Sequence, residues 1–435
     1  MLLIYTKHSS ARLKYVFQLV FRQLLGIPFE MTHDVKLFNR STLPKISYTS
    51  HPIQDTLFFK TTTLLFEKHI SPQTFEVKQY NHLTAFYFHN DERAVLPFDP
   101  FAMIFFLVSR YEEYLAMEKD HHGRFTAQQS IAYQYQFLDQ PLVNQWILEI
   151  KNILKKHYPT LSFKKSVYRF TPTYDIDYAW AYLHKGFLRT VGAYGKSIFR
   201  GSKYLTQRLK VHFGQIQDPY DTFDYLDHLH QKHSLAPLYF FLVGEFGAYD
   251  KNISIQKKAF QRLIQKIVKQ YKIGLHPSYQ SNTDFQILEK EHQSLAVVAG
   301  HSIDMSRQHF LKLSFPKTYQ RLLRLGIKAD YSMGYAAEVG FRASIAEPFY
   351  WFDLSKDTMT DLLIVPFQLM DVTLKNYLKL SPDEALTKAK SIIENTKAVN
   401  GHLVTLFHNN SFCEQEGWQG WRAVYEEMLL RSSPS

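Results

Sequence analysis

FQRLIQKIVKQYKIGLH, residues 260–276, reads as a helix that runs straight into a strand. Phe260, Leu263, Ile264, Ile267, Val268 and Tyr271 recur every three or four residues and so share one helical face. The apolar IGLH behind them is a short buried strand that ends on His276. On the N-terminal side PLYFFLVG (237–244) is a second strand, preceded by a helix in DTFDYLDHLHQKH (221–233). On the C-terminal side come a helix at 284–298, a strand near 302–307 and a helix at 315–325, opened by Ser314 with Pro316 in its first turn. Strands in KADYSM (328–333), FYWFDL (349–354) and LLIVPFQLM (362–370) follow. Ser381, Pro382 and Asp383 then open a helix to about residue 398, HLVTLFHNN (402–410) is a last strand, and a final helix closes the chain. Seven or eight strands alternating with helices specify a parallel α/β sheet. No glycine-rich phosphate loop follows any of them, which favours a distorted (β/α)7–8 barrel over an open doubly wound sheet.

This texture begins near residue 165. Upstream, LLIY (2–5) reads as a strand, and 11–25 as an amphipathic helix with Leu13, Val16, Phe17, Val20 and Leu24 on one face. Short β-rich runs lie between 36 and 90. PFDPFAMIFFLVSRYEEYLA (97–116) is a strongly apolar helix starting at Asp99-Pro100, HHGRF (121–125) a loop, and PLVNQWILEIKNILKKH (141–157) a closing helix. Residues 1–163 are therefore expected to form a smaller N-terminal α/β domain, and 164–435 the barrel. No catalytic constellation stands out in the first of these.

Composition narrows the class. The chain is 45% hydrophobic and 21% charged, which suits a globular protein with a large core and excludes disorder. Its net charge of +11 is spread along the chain, with no arginine-rich arm, zinc-finger spacing or basic heptad region, so nucleic acid is not the expected partner. An anionic glycan or a membrane surface would suit a basic protein better. The single cysteine, Cys413, rules out an intrachain disulfide framework and a multi-cysteine metal site. The opening MLLIYTKHSS has too short an apolar run for a signal peptide, and no run reaches the length of a membrane span, so a cytoplasmic address is expected.

The polar residues carry the chemistry. In parallel α/β folds reacting groups gather where strands end. YRFTPTYDID (168–177) ends with Asp175 and Asp177, two apart and so able to point the same way from a strand. KIGLH ends on His276, and the 302–307 strand ends on Arg307 with His309 close behind. Asp330, Asp353, Asp371 and His408 close four further strands. Singly, each could be a cap for the next helix. Seven such ends together mark an active site at one mouth. Two carboxylates with several imidazoles suit a divalent ion that activates water. One carboxylate and two histidines hold the ion, and the second carboxylate takes the water's proton. A histidine opposite can protonate a leaving amine, and an arginine can keep the base ionised.

Thr173-Tyr174-Asp175-Ile176-Asp177 resembles the Thr-Phe-Asp-Asp-Asp motif of the NodB-like polysaccharide deacetylases. His276, Arg307, Asp330 and Leu406-Phe407-His408 fall in the order and approximate spacing of that family's other motifs, over about 165–435. PFDPFAMIFFLVSRYEEY, GLHPSYQSN, SRQHFLKL and YAAEVGFRASIAEPFYWFDL extend the resemblance over nearly the whole chain, to a Bacteroidetes-type subgroup with an additional N-terminal domain of unknown function. The resemblance implies that Asp175 is the general base, Asp177 a metal ligand, His276 the first metal-binding histidine, Arg307 the residue that orients the base and His408 the catalytic acid. One position departs. Four residues after His276, where the family has its second metal-binding histidine, this chain has Gln280, whose neutral amide is a poor zinc ligand. His309 is the first choice as replacement, with Ser278, Tyr279 and Asn282 behind it.

The expectation is a metal-dependent hydrolase, zinc being the expected ion, that removes N-acetyl groups from an amino-sugar glycan or a lipid-linked glycan precursor. Arg342, Tyr279, Ser278 and Asp330 are the substrate-side candidates, Asp330 as a support rather than a reactant. Tyr335, Trp351 and Trp180 are aromatic candidates to line a sugar. Two other readings stay open. One is a glycan-binding or scaffolding protein on a decayed deacetylase barrel, motivated by Gln280. The other is a glycoside hydrolase using Asp175 with Asp330 or Asp371.

Overall fold

The computed structural model describes residues 1–53, 56–116, 118–186, 190 and 202–433. Its first part is a four-stranded, all-parallel sheet: β1 (Leu2–Tyr5), β2 (Phe29–Thr32), β3 (Lys45–Thr49) and β4 (Leu57–Lys60), in the order β2-β1-β3-β4. A small antiparallel hairpin, β5 (Lys78–Tyr80) and β6 (Leu83–Ala85), follows. The buried carboxylate of Asp99 starts the helix Pro100–Val108 by accepting from the amides of Phe101 and Ala102, with Pro100 where no N–H is needed. The same carboxylate accepts from Tyr48 Oη and Thr62, which ties the helix to the sheet. The sequence predicts that this helix continues to Ala116. Instead it breaks at Arg110, which adopts φ 55°, and a second helix, Tyr111–Leu115, sets off from there. The break lets the Arg110 guanidinium reach Glu112 and Glu113 of the next turn, at 2.8 Å each.

The second part is one nine-stranded sheet. Its strands are β7 (Arg169–Ile176), β8 (Leu238–Leu242), β9 (Lys272–His276), β10 (Met305–Ser306), β11 (Ala329–Asp330), β12 (Phe349–Asp353), β13 (Thr358–Ile364), β14 (Leu369–Met370) and β15 (His402–His408). They lie in the order β12-β13-β11-β10-β9-β8-β7-β15-β14, and every neighbouring pair is parallel except β12 with β13. LLIVPFQLM, read as one strand, is two. Pro366 has no N–H for a ladder, and the chain leaves β13 there to enter β14 at the far end of the parallel set. The short link between Ile364 and Leu369 spans at most about 18 Å, so the sheet must curl until its ends nearly meet. Within the link Phe367 N donates to Met333 O and Gln368 N to Val404 O, bonding it to both ends. Gly274 on β9 makes room for the Phe240 ring of the neighbouring strand: a Cβ there would lie 2.5 Å from it.

One hydrophobic core runs from the first sheet through the helices Pro100–Val108 and Leu142–His157 into β12 and β13. Tyr15 packs on Phe105 and Phe352, and its hydroxyl donates to Tyr350 O at 2.7 Å. A second core lies between β7–β9 and the helices outside them, including Lys258–Val268 and Phe285–Ala299. Helix ends follow local signals: Asp284 caps Phe285–Ala299, and Ser381 with Glu384 forms a capping box on Pro382–Ala398. Among the described residues no helix is long and apolar enough to cross a membrane.

Candidate metal centre and catalytic site

β7 ends at Ile176, one residue before Asp177, and strand alternation turns Asp175 and Asp177 to the same side. β9 ends on His276, and Arg307, Gln308 and His309 follow β10 directly. β15 ends on His408, in register with Asp175 on β7. The ends of β7, β9, β10 and β15 thus deliver these seven polar side chains to one region of the sheet.

Ligand atoms of Asp177, His276 and His309 lie within 4.8 Å of one another. Asp177 Oδ1 is 3.2 Å from His276 Nε2, and Oδ2 is 3.5 Å from His309 Nε2 and 3.8 Å from His408 Nε2. Each ring has its other nitrogen tied outward. His276 Nδ1 is 2.5 Å from Arg307 O, His309 Nδ1 2.8 Å from Asp250 Oδ1, and His408 Nδ1 2.9 Å from Asp371 Oδ1. Outer partners of this kind orient imidazoles and leave Nε2 facing the centre. Asp177 Oδ1 is buried and makes no hydrogen bond, a costly state for a carboxylate oxygen. A divalent cation between that oxygen and the two Nε2 atoms would relieve it, and one carboxylate with two imidazoles is a donor set that zinc accepts. The residues present fit such an ion.

The electrostatics agree. Burial disfavours charge on Asp177, but His309 and His276 outweigh it and hold the carboxyl well below its usual range. Burial also opposes charge on His309, yet Asp177 and Asp250 bring the imidazole up to about 9. For His408 burial is outweighed mainly by Asp371, and the ring is brought up to about 10.

Asp175 lies on one side of this group, 2% exposed. Its Oδ1 accepts from Arg307 Nη1 at 2.9 Å, and its Oδ2 is 3.7 Å from His276 Nε2. Arg307 is itself fixed, with Nε donating to Tyr331 O and the guanidinium 4.5 Å from the Phe240 ring centroid. His408 is the register partner of Asp175 on the adjacent strand. Asp371 accepts from its ring and its backbone N–H, and Ser411 Oγ donates to the same carboxylate. A cavity of about 150 Å³ is shared by Asp175, Asp177, His276, His309 and His408, with Arg124 from the N-terminal part on its wall.

The other sequence candidates lie elsewhere. Gln280 is exposed and lines, with Ser278, a separate cavity of about 210 Å³. Ser278 is buried, its amide donating to Glu291. Tyr279 donates its amide to Asp250, and its ring stacks on Tyr249 at 4.1 Å. Arg342 is not brought to the site: its guanidinium forks onto the buried Glu113 at 2.9 and 2.6 Å and donates to Gly334 O. Asp330 is fully buried and saturated by Ser306 Oγ, Ser332 Oγ and Ser332 N, so it faces no substrate. Tyr335 Oη accepts from Arg110, Trp351 packs on Tyr319 in the core, and Trp180 Nε1 donates to Asp221. Asn282 Nδ2 donates to Gln308 and to Lys312 O. Asp353 caps Ser355 on the antiparallel hairpin. Two functional partners escaped the sequence. Asp250 lies in the GAYDKN turn (247–252) rather than at a strand end, and Arg124 belongs to a part of the chain with no catalytic pattern.

Residues 2–159 match the model of a family of unknown function (DUF7033). No curated protein matches the chain. Among solved structures, a protein assigned as a polysaccharide deacetylase from Mycobacterium smegmatis is similar at 15% identity, with a TM-score of 0.41, over 61% of this chain and 84% of that one. One assigned likewise from Pseudomonas aeruginosa is similar at 9% identity, TM-score 0.39, over 61% and 83%. The polysaccharide deacetylase Bc1974 from Bacillus cereus is similar at 13% identity, TM-score 0.30, over 61% and 86%.

Proposed function

We propose that this chain is a divalent-metal-dependent hydrolase of the NodB-like polysaccharide deacetylase kind, removing the acetyl group from an N-acetylated amino sugar in a glycan or a lipid-linked precursor. In this reading the curled sheet of residues 164–435 is a distorted (β/α)7–8 barrel, and residues 1–163 are a domain folded against it. The observation that carries the reading is that Asp175 and His408, in register on adjacent strands, line one cavity with Asp177 and each have a fixed partner, Arg307 for Asp175 and Asp371 for His408; we assign them as base and acid. A binding protein has no use for that pair. Asp330 is sealed and Asp371 is engaged, so neither is free to act with Asp175 as the second carboxylate of a glycoside hydrolase.

A divalent ion, zinc first, held by Asp177, His276 and His309 would supply Lewis acidity toward water and the acetyl carbonyl. Asp175 takes the attacking water's proton at Oδ2, because Oδ1 is occupied by Arg307. The Arg307 guanidinium, donating to Oδ1, holds that carboxylate in its orientation. His408 is protonated at neutral pH and gives its Nε2 proton to the departing amine nitrogen, while Nδ1 stays on Asp371. The cavity has room for a small acyl group, and the sugar itself would lie toward the rim.

Elemental analysis of the purified protein tests this, with Asp177→Ala, His309→Ala and Asp175→Asn alongside and acetate release measured on N-acetylated amino-sugar oligomers. The wild type should hold close to one divalent ion, lost in the first two variants. Asp175→Asn should keep the ion and lose about 10²–10⁴ in rate. A wild type that takes up no ion under any divalent supply would sink the reading.

A further inference from the structure

His309 occupies the role that Gln280 leaves open, and it does so from a turn the backbone resists. Phe310 and Leu311, directly after it, adopt φ 57° and 52°. The Cβ of a bulky residue crowds the carbonyl in that left-handed region, so such a turn persists only where its surroundings hold it. Asp250 holds the His309 ring, and Asn282 Nδ2 donates to Lys312 O at 2.6 Å. The Tyr249 and Tyr279 rings lie 5.6 and 5.5 Å from the Phe310 ring, and residues 120–125 add a further hold. Arg124 Nη1 donates to Phe310 O at 2.8 Å, and the His122 ring lies 4.7 Å from the Phe310 ring. This loop is itself built to be stiff. Asp120 accepts from the amides of His122 and Arg124 through Oδ1 and from Arg124 Nε through Oδ2. Gly123 turns the chain at φ 77°. Arg124 is 7% exposed and pinned at both Nε and Nη1, which is the geometry of a strut.

We propose that residues 120–125 clamp the His309–Leu311 turn, with Arg124 as the positioning residue, so that the N-terminal part of the chain sets the affinity of the metal centre built on the second sheet. The inference rests on the reading of Asp177, His276 and His309 as metal ligands. It explains how a ligand lost at position 280 is supplied at 309, on a turn that needs an outside brace. Without the brace, Phe310 relaxes toward negative φ, His309 swings from Asp177, and two protein ligands remain.

Full-length protein stripped by a chelator, titrated with Zn²⁺ against a chromophoric competitor and with Co²⁺ by visible absorption, tests the clamp. Arg124→Ala should weaken zinc about 10–100-fold and reduce the Co²⁺ band as a nitrogen ligand leaves. Arg124→Lys should recover part of the loss, since one donor can still reach Phe310 O. Phe310→Gly in the Arg124→Ala background should restore affinity, because glycine takes φ 57° without strain. No rescue of that kind is expected from a residue that merely stabilises the fold. Zinc affinity within about twofold of wild type in Arg124→Ala, with an unchanged Co²⁺ spectrum, overturns the clamp and leaves the metal reading standing. A wild type that binds neither ion overturns both. Should Arg124→Ala not fold, His122→Ala removes the ring packed on Phe310, Tyr249 and Tyr279 while leaving Arg124 in place; it must weaken zinc severalfold, and unchanged affinity there also overturns the clamp.

Discussion

His408 can serve as an acid only as long as Asp371 holds it. Burial alone would drive the imidazole neutral, and Asp371, at 2.9 Å from Nδ1, more than reverses this, to about 10. Asp371→Asn keeps the shape and removes the charge, so the ring should lose its proton at a lower pH. Deacetylation needs the protonated ring, and the alkaline limb of its pH–rate profile should therefore move down by more than one unit, with about a 10²-fold loss at pH 8. The stability sign runs the same way. A histidine raised in the folded state contributes fully below its unfolded value of about 6.5 and loses that contribution as pH rises through about 10. In metal-free protein this alkaline loss should be present in the wild type and largely absent in Asp371→Asn. An unchanged alkaline limb would remove His408 from the acid's role.

At the scale of elements, the helix Tyr111–Leu115 is pinned to the loop after β11 by ions. Glu113 accepts from Arg342 on one side and Arg110 on the other, and all three side chains are at most 2% exposed. Burial works against charge on Glu113, but the two guanidiniums outweigh it and hold its carboxyl low. Removing the shared carboxylate takes the buried Arg342 off its carboxylate and leaves Arg110 on Glu112. Glu113→Ala should cost about 3–5 kcal/mol in urea unfolding, and a cost below about 1 kcal/mol would show that the network relaxes around the loss. The same network shows where sequence reading stops. Asp175, Asp177, His276, Arg307, His309 and His408 were legible because each stands at or just past a strand end, where apolar periodicity stops at a charged residue. Arg342 has the same local look, but its partner Glu113 is 229 residues away. The break at Arg110 was hidden because the apolar pattern runs on across it, while Arg110 reaches Glu112 and Glu113 of the next turn and Tyr335 Oη far along the chain. The split of LLIVPFQLM had a local signal in Pro366, outvoted by its apolar flanks.

At the scale of the whole molecule, the alternation of helix and strand after residue 165 fixed the parallel order, while the shared core with β12 and β13 had no sequence signature. Every apolar residue there is equally apolar whichever sheet it meets. The molecule carries +11 with its 20 histidines neutral, so acid adds charge to an already basic protein. Two of these histidines oppose that protonation from within the fold. His230, at the end of the helix Phe223–Lys232, shares a hydrogen bond with Tyr174 Oη on β7, and burial lowers it to about 4. His402 on β15 is bonded to Thr171 on β7, and burial, helped by Arg169, lowers it to about 3. Both lie below the unfolded value of about 6.5. Their contribution is therefore whole above that pH and is lost as pH falls from about 6.5 through 4 and 3. Metal-free protein should accordingly melt several degrees lower at pH 5 than at pH 7.5. The carboxylates are common to the wild type and a His230→Gln/His402→Gln variant, so the difference in slope between the two belongs to these imidazoles. The variant should be less stable at pH 7.5 yet lose less on acidification. Parallel slopes would mean that the pair β7 and β15, which carries Asp175 and His408 at its far end, opens to water before the histidines titrate.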